Sequence, residues 1–572
     1  MRARSAGVPE PDKLSGSPRR GGQHVRVGHA AGAKWETNYK MSDTRRRPLL
    51  LACSLALLLS ACGATQSLTA RVSQPVHPVL IRNDHNVLLQ LTIDSQRTAP
   101  TNLEAIGFSL AGTDRIEDIE ALEVFHTGAK PAFDAGVPFG QTVPPSMTIT
   151  IRGALPLQPG ANIFWLSCRL KPSAGLSRKV AAAVTSLSAG GGAVSVVDQP
   201  PPVRRRIGIA LRKHNDDGVH TYRIPALATS PNGTLHVVYD MRRRASRDLQ
   251  EDIDIGLSRS TDGGRTWELP KVIMDMGEYG RKPQYENGVS DPGIIVDRKT
   301  GEIFVFAVWM WGKPGKHQWN EDGSEPGFEI GKTAQLMLVR SKDDGLSWTK
   351  PENLTRKLKK EPWWLLAPCP QQGIHLADDT LVMPTQGRNE TGETFATIMT
   401  SRDHGATWTV GAPAFVGGNE CQAVQLGDGA IMLNIRNDHE RFRAVFVTRD
   451  LGKTWQPHET NRKTLIEPNC NASLYRMDLP ARQGHVLLFA NPHTQKGRTH
   501  HTIQVSFDDG RTWPKENHLL LDEGRGRGYP SLSRIGDDHV GIVYEGSRAD
   551  LTFEKIALAE LGLTRPVPRA AR

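Results

Sequence analysis

The sequence predicts an all-β protein in which a β-sandwich domain precedes a β-propeller. Three observations predict it: an eight-residue frame that recurs five times after residue 259, short alternating strands before residue 198, and abundant turn residues, with 55 Gly and 38 Pro among 572 residues. Recurring units of roughly 40 to 50 residues suit four-stranded propeller blades. A chain of this length has room for two or more domains.

The recurring frame reads S/T-x-D-x-G-x-T/S-W, and its copies end at Trp267, Trp348, Trp408, Trp455 and Trp513. The Asp accepts hydrogen bonds from turn amides, the Gly supplies a left-handed backbone position, and the Trp covers the hairpin with an apolar surface. An EF-hand loop would need more alternating oxygen ligands and a final Glu, which the frame lacks. The frame therefore indicates repeated blades, and the longer intervals between copies indicate insertions.

Residues 1–62 are interpreted as an N-terminal extension followed by a lipoprotein-type signal peptide. Arg45 to Arg47 precede about a dozen apolar residues, a run short for a membrane span and typical of an export signal. The run ends in LSAC, which resembles a bacterial lipobox, so Cys62 is expected to carry a lipid. We expect an exported protein, anchored to the bacterial envelope, most simply the outer membrane, with secretion after ordinary cleavage as the alternative. Met41 fits such a signal better than Met1 as the start.

The formal net charge of +10 gives little support to nucleic-acid binding. Residues 1–50 hold 11 Lys and Arg against 4 Asp and Glu, so most of the excess lies in the extension. The cysteines beyond the signal, at 168, 369, 421 and 470, form no C-x-x-C pair. They are expected either to be buried thiols or to form at most one disulfide in an oxidising compartment, and zinc is not indicated.

Residues 63–198 are predicted to form the sandwich, because stretches such as NVLLQLTI and ANIFWLSCRL alternate without a helical period. Its role is left open between a sugar-binding module and a spacer. The proline-rich stretch at 199–206 is the predicted linker, and residues 207–565 form the predicted propeller.

The stretch HTYRIPAL places Arg223 before Ile-Pro, which restricts the backbone at a strand start. With the five frames, it resembles the bacterial sialidase (neuraminidase) family over about residues 207–562. The resemblance implies that the β-propeller is six-bladed and that the protein is an exo-α-sialidase, a glycoside hydrolase that releases terminal sialic acids from glycoproteins, glycolipids or oligosaccharides. It implies no required cofactor, and the sequence leaves structural calcium open.

The resemblance also implies roles for residues in short motifs. The implied catalytic residues are the acid/base Asp248 in RDLQEDIDIG, the base Glu420 in NECQAV and the nucleophile Tyr529 in GRGRGYP. The implied substrate-binding residues are Arg223, Arg436 and Arg498, which clamp a carboxylate, with Arg242 in YDMRR and Asp291 in SDPG. Glu545 in GIVYEG is implied to brace Arg223, while Asp252 and Asp254 compete with Asp248 but suit structural work inside a strand.

Chemistry explains why such a set is needed. Sialic acid carries a carboxylate on its anomeric carbon, and the arginine fork matches a carboxylate. A carboxylate nucleophile at about 4 Å would be repelled by roughly 4 kcal/mol, which a neutral phenol avoids; tyrosine is an acknowledged exception among glycosidase nucleophiles. The phenol, with an ordinary pKa of about 10, needs a base.

Two other readings stay open at this point. A trans-sialidase, or a hydrolase for a related keto-acid sugar such as Kdn, would keep the same pocket. A propeller that binds glycans without turning them over would need only the frames. A monomer is expected, and the sequence does not predict linkage preference.

Overall fold

The computed structural model describes residues 67–97, 99–249, 251–311, 323–479 and 484–563. Within these ranges the protein is almost entirely β-structure, as predicted, with one short α-helix at Thr355–Leu358. No helix in these ranges is both long enough and apolar enough to cross a membrane. The predicted signal peptide and Cys62 lie outside the described residues.

The N-terminal domain consists of two facing sheets. The five-stranded sheet runs, in spatial order, Ser195–Asp198, Leu68–Ser73, Asn86–Ser95, Gly160–Leu170 and Ile119–His126. The four-stranded sheet runs Gly192–Ala193, Ala183–Ala189, Thr101–Ser109 and Thr148–Leu157. Alternate side chains such as Leu91, Ile93, Ile106 and Phe108 are buried in one apolar cluster, as the period-2 pattern requires.

Six further sheets form the blades of a propeller, which confirms the predicted fold class. The strands of blades 1 to 3 are Thr221–Thr229, Leu235–Arg242, Ile253–Ser260 and Lys271–Met274; Val289–Val296, Ile303–Trp309, Gln335–Ser341 and Glu352–Asn353; and Leu365–Pro368, Leu381–Arg388, Thr394–Ser401 and Thr409–Val410. Those of blades 4 to 6 are Gly418–Gln425, Ile431–Asn437, Ala444–Thr448 and Gln456–Pro457; Ser473–Leu479, Gly484–Pro492, His501–Ser506 and Leu519–Asp522; and Pro530–Ile535, His539–Tyr544, Leu551–Ala557 and Arg205–Arg212. The first strands of neighbouring blades contact each other around the central axis, except that blade 3 meets the first strand of blade 4 mainly through its second strand, Leu381–Arg388.

The ring closes through a strand from the beginning of the propeller. Arg205–Arg212 pairs antiparallel with Leu551–Ala557 and so completes the last blade. On its other side it pairs with Val79–Ile81 of the N-terminal domain, in parallel. The strand begins inside the predicted linker, so the linker is partly structured and the N-terminal domain extends a propeller sheet.

The five repeated frames form the turns after the third strand of blades 1 to 5. In the third copy Asp403 accepts hydrogen bonds from Ser401 Oγ at 2.8 Å and from the amide and hydroxyl of Thr407 at 2.9 and 2.5 Å. The same bonds recur at Asp262, Asp343, Asp450 and Asp508. Hydrogen bonds from Thr407 lower the pKa of Asp403 to about 2.

The frame glycines also set the contact between blades. Gly405 has φ of 80°, and a Cβ there would lie 2.4 Å from the ring of Phe304 in the preceding blade. Gly264 meets Phe553 across the closing contact in the same way. Only glycine combines this conformation with this approach, so the repeat specifies the turn and the packing between blades together.

Candidate active site

A cavity of about 310 Å³ opens at one end of the propeller axis, and every blade contributes to its wall. Its lining residues are Arg223, Ile224, Asp248, Asp291, Leu365, Gln386, Gly387, Arg388, Thr394, Asn419, Glu420, Arg436, Arg498 and Tyr529. A second cavity of about 380 Å³, lined by the opposite ends of inner strands around Thr229, Val296 and Ser533, contains none of the residues singled out in the sequence. The predicted residues therefore converge on the first cavity.

Local bulges in the inner strands aim side chains into this cavity. Ile224, held between Arg223 and Pro225, has φ of 57°, and the strand register shifts across it. Asp291 has φ of 58° before Pro292, with a similar shift, and the register also shifts between Gly418 and Cys421 around Glu420. Bulges of this kind redirect side chains at sites.

Tyr529 and Glu420 form the centre of the site. Both side chains are largely buried, and the Tyr529 hydroxyl donates to Glu420 Oε1 at 2.5 Å. Arg436 Nη1 donates to Glu420 Oε2 at 2.7 Å and to Tyr529 Oη at 3.0 Å. Burial and the Glu420 charge raise the pKa of Tyr529 well above its ordinary value, although Arg436 and Arg498 oppose them. The phenol is therefore neutral at rest, with an acceptor in place for its proton.

Three arginines surround the same ring. The guanidinium carbons of Arg223 and Arg498 lie 5.6 and 5.5 Å from the centre of the Tyr529 ring, and Arg436 contacts its hydroxyl. The three side chains therefore converge as the family resemblance implies. Together they offer several N–H donors to one small anion at the mouth of the cavity.

Glu545 holds this arrangement from behind. It is 1% exposed and accepts hydrogen bonds from Arg223 Nε at 2.6 Å, from the Ile224 amide at 2.8 Å and from the Tyr529 amide at 3.2 Å. Burial raises the pKa of Glu545, but Arg223 and the amides of Ile224 and Tyr529 together lower it by more, so the net shift is downward. One carboxylate thus fixes both an arginine and the tyrosine backbone.

Asp248 lies on the rim of the cavity, with 39% of its side chain exposed. Its Oδ1 is 2.5 Å from Arg242 Nη1 and 3.8 Å from Arg223 Nη1. Asp254, the alternative candidate for the acid, lies inside a strand and pairs with Arg243 Nε at 2.9 Å, so its role is structural. Of these acids, Asp248 is the one that lines the cavity.

Arg242 differs from the sequence-based expectation of a sugar contact. Its guanidinium is fully buried behind the wall, where Nε and Nη2 contact Asp240 at 3.2 and 2.9 Å and Nη1 contacts the Ser246 carbonyl and Asp248. The carboxylates of Asp240 and Asp248 both contact this guanidinium, so in this arrangement Arg242 holds Asp248 in place. Contact with a sugar hydroxyl stays a prediction that would require Asp248 to move.

Asp291 also lines the cavity. Burial, followed by the charges of Glu420, Asp240 and Asp248, raises the pKa of Asp291 well above the ordinary value. These surroundings favour the protonated form of the Asp291 carboxyl group, and a protonated carboxyl can donate a hydrogen bond to a sugar hydroxyl.

Two residues near the cavity were missed in the sequence. Asn469, with φ of 57°, accepts from Arg436 Nε through Oδ1 at 2.5 Å and from Arg498 Nη2 through its carbonyl at 3.2 Å. Arg388 lines the cavity and packs on Trp364 at 5.6 Å. Arg388 is the last residue of the second strand of its blade, and Arg436 is the last but one of the second strand in the next blade; this similar position near the strand end could have identified Arg388.

The four described cysteines are buried free thiols, which matches the first of the two expectations. Cys421 follows Glu420 directly, and its Sγ lies 3.3 Å from that of Cys369. The apolar cluster around this pair supports the inner strand that carries Glu420.

Comparison with known proteins finds relatives of both domains. Residues 233–544 match a model described as a BNR repeat-like domain, and residues 67–193 match the N-terminal domain of BNR-repeat neuraminidase. A sialidase of Bacteroides fragilis is 37% identical over 540 residues, covering 89% of this chain and 98% of that protein. A sialidase of Micromonospora viridifaciens is 33% identical, over 62% of this chain and 54% of that protein.

The solved structures agree as well. The Hadza microbial sialidase Hz136 is 35% identical, with a TM-score of 0.81 over 86% of this chain and all of that one. A Trypanosoma rangeli sialidase at 20% identity and a TM-score of 0.52 shares the fold, over 62% of this chain and 59% of that one. With both of its domains matched and a tyrosine, a glutamate and three arginines gathered at the propeller axis, the chain belongs to the family of sialidases, the BNR-repeat neuraminidases.

Proposed function

We propose that this protein is an exo-α-sialidase that hydrolyses terminal sialic acids from glycoconjugates with retention of configuration. The observation that carries the proposal is the Tyr529–Glu420 hydrogen bond of 2.5 Å, surrounded by three arginines. A protein that only bound an acidic sugar would need the arginines but not a phenol paired with a buried base.

The arginines would bind the carboxylate of the sugar. A carboxylate placed over Tyr529 would find donors from Arg223, Arg436 and Arg498 in a partly buried site, where charge-assisted hydrogen bonds are strong. Glu545 keeps Arg223 in place and offsets part of the repulsion among the three cations. Binding would thus place the anomeric carbon next to the Tyr529 hydroxyl.

Tyr529 would attack that carbon and form a bond between Oη and the anomeric carbon, while Glu420 takes the phenolic proton. Asp248, on the exposed rim, would give its proton to the leaving glycosidic oxygen as the old bond breaks. Asp248 would then deprotonate a water that attacks the same carbon, and Glu420 would return the proton to Tyr529. Two displacements at one carbon give retention.

The test is hydrolysis of 2,3- and 2,6-linked sialosides, with proton NMR of the first product. We expect free sialic acid that appears first as the α-anomer, whereas initial release of the β-anomer would contradict the tyrosyl intermediate. Incubation with a 2,3-difluorinated sialic acid should add the mass of one sugar to the peptide that contains Tyr529, and Tyr529→Phe should abolish this adduct. Adding lactose as an acceptor tests transfer, since a trans-sialidase would then form sialyllactose in place of free acid.

We also propose that the protein is exported and anchored through a lipid on Cys62, acting as a monomer on sialylated glycans, without nucleic acid. The apolar run and the LSAC sequence that ends at Cys62 support export and lipidation. Globomycin treatment should accumulate the uncleaved precursor, and Cys62→Ser should release the protein from membranes. An unlipidated, freely secreted wild-type product would contradict the anchor.

A further inference from the structure

The loop that carries Tyr529 has little internal structure of its own. It joins Leu519–Asp522 of blade 5 to Pro530–Ile535 of blade 6, and its sequence between them, EGRGRG, contains three glycines. A segment of this composition does not define its own conformation. The position of Tyr529 therefore depends on what holds the loop at each end.

At its inner end the loop is bound to the candidate active site. The Gly526 amide donates to the Arg498 carbonyl at 3.0 Å, and Arg498 Nη1 donates back to the Arg527 carbonyl at 2.7 Å. The Gly528 amide donates to the Glu545 carbonyl at 3.1 Å. A displacement of the loop would therefore move Tyr529 and Arg498 together.

At its outer end the loop is bound to the N-terminal domain. The amide of Glu523 donates to the Val76 carbonyl at 2.8 Å, and the Val76 amide donates to Glu523 Oε2 at 3.0 Å. Beside this pair, His77 Nδ1 lies 2.7 Å from Asp522 Oδ1, with both residues buried. Asp522 also accepts hydrogen bonds from the amides of Gly524 and Ser547, each at 2.8 Å.

His77 is itself held firmly relative to blade 6. The strand Val79–Ile81 starts two residues later and pairs with Arg205–Arg212 of that blade. The apolar cluster of the N-terminal domain continues without a break into this strand and onto Phe553. The contact is thus part of a continuous sheet and core, not an isolated surface bond.

We propose that the N-terminal domain positions the active site, with His77 as a positioning residue that fixes the Tyr529 loop through Asp522. This deepens the proposed function and rests on it. It gives the domain a role that neither a spacer nor a sugar-binding module requires. His77 itself lies outside the cavity lining and touches no candidate catalytic group.

The test compares three variants of the full chain. His77→Ala removes the donor to Asp522, and since a misplacement of about 1 Å can lower a rate by up to a hundredfold, we expect kcat to fall about tenfold and KM to rise through Arg498. His77→Asn keeps a donor at the position of Nδ1 and should restore most of kcat. Lys179→Ala removes the Lys179–Glu560 ion pair of 2.5 Å elsewhere in the same domain contact and should leave kcat and KM unchanged.

Hydrogen exchange of the loop amides gives a readout that does not need activity. In His77→Ala the amides of Gly526, Gly528 and Tyr529 should exchange faster than in wild type, and in Lys179→Ala they should not. Folded His77→Ala with wild-type exchange, kcat and KM would overturn the proposal. If His77→Ala does not fold, Glu523→Ala provides a second test, because it removes the acceptor for the Val76 amide. This variant should show the same changes in exchange, kcat and KM, but smaller ones. Wild-type values for Glu523→Ala would equally overturn the proposal. A wild-type protein that cleaves no sialoside would refute the proposed function, while the exchange comparison would still decide whether His77 holds the loop.

Discussion

The Glu420→Gln substitution tests the proposed role of Glu420 as a base separately from its structural contacts. The amide keeps the shape of the side chain and can still contact Tyr529 and Arg436, but it accepts no proton. General-base assistance is typically worth a factor of about 10² to 10⁴. We therefore expect kcat to fall by that factor, which raises the barrier by about 3 to 5 kcal/mol.

The same substitution should lower the free energy of unfolding by less than it raises the activation barrier. Glu420 accepts two hydrogen bonds, from Tyr529 Oη at 2.5 Å and from Arg436 Nη1 at 2.7 Å. Replacing each charge-assisted bond by a neutral one loses about 1 kcal/mol, or about 2 kcal/mol of unfolding free energy in total. KM should not rise, because the change also removes a negative charge that faces the carboxylate of the substrate.

Blade 6 provides a matched control. Glu554 is equally buried and accepts from Tyr544 Oη at 2.7 Å and from Arg206 Nε at 2.9 Å, but it does not line the cavity. Glu554→Gln should lose comparable stability in urea melts and keep wild-type kcat. The assay is steady-state hydrolysis of a fluorogenic aryl sialoside. A folded Glu420→Gln enzyme with kcat within threefold of wild type would refute the reasoning.

Three further variants test other parts of the site and fold. Asp248→Asn should lower kcat/KM for 3′-sialyllactose by a factor of about 10² to 10⁴. For an aryl sialoside, whose leaving group needs no proton, kcat/KM should fall less than tenfold. Equal losses of kcat/KM for both substrates would show that Asp248 is not the acid. Arg498→Lys should weaken competitive inhibition by free sialic acid roughly tenfold to a hundredfold and leave inhibition by its methyl ester unchanged, so a parallel loss for the ester would argue against carboxylate binding. Asp403→Ala should lower the melting temperature without changing kcat/KM. The pKa of Asp403 is about 2 in the folded protein and about 4 in the unfolded chain. The difference in melting temperature between the variant and wild type should therefore be full above pH 4 and disappear as the pH falls toward 2. A difference in melting temperature that persists at pH 2 would contradict the hydrogen-bond account.

The sequence predicts those parts of the fold that local chemistry specifies. Each frame is a self-contained turn, since Asp403 satisfies amides and hydroxyls within four residues, and five such turns predict a ring of blades. The alternation in stretches such as Asn86–Ser95 predicts the sandwich for the same reason. The pairing of Val79–Ile81 with the last blade could not be predicted, because it joins distant segments without a local signal.

The residues of the candidate site likewise divide into those that the sequence predicts and those that it does not. Residues with a motif of their own, such as Arg223 before Ile-Pro and Tyr529 after the glycines, are gathered at the cavity as expected. Asn469 has no such motif, because it acts through its backbone conformation and carbonyl. The burial of Arg242 depends on Asp240 and Asp248 approaching it from two directions, which spacing along the chain does not reveal.

The strand Arg205–Arg212 completes the last blade and also receives Val79–Ile81. During synthesis this strand emerges more than 300 residues before its partner Leu551–Ala557, so the ring of blades cannot close until the last blade has been made. Until then the strand presents an unpaired edge, the kind of surface on which chains associate wrongly. The early strand Val79–Ile81 pairs with the opposite edge of Arg205–Arg212, so the first domain to be made leaves only one edge of this strand exposed to wrong partners.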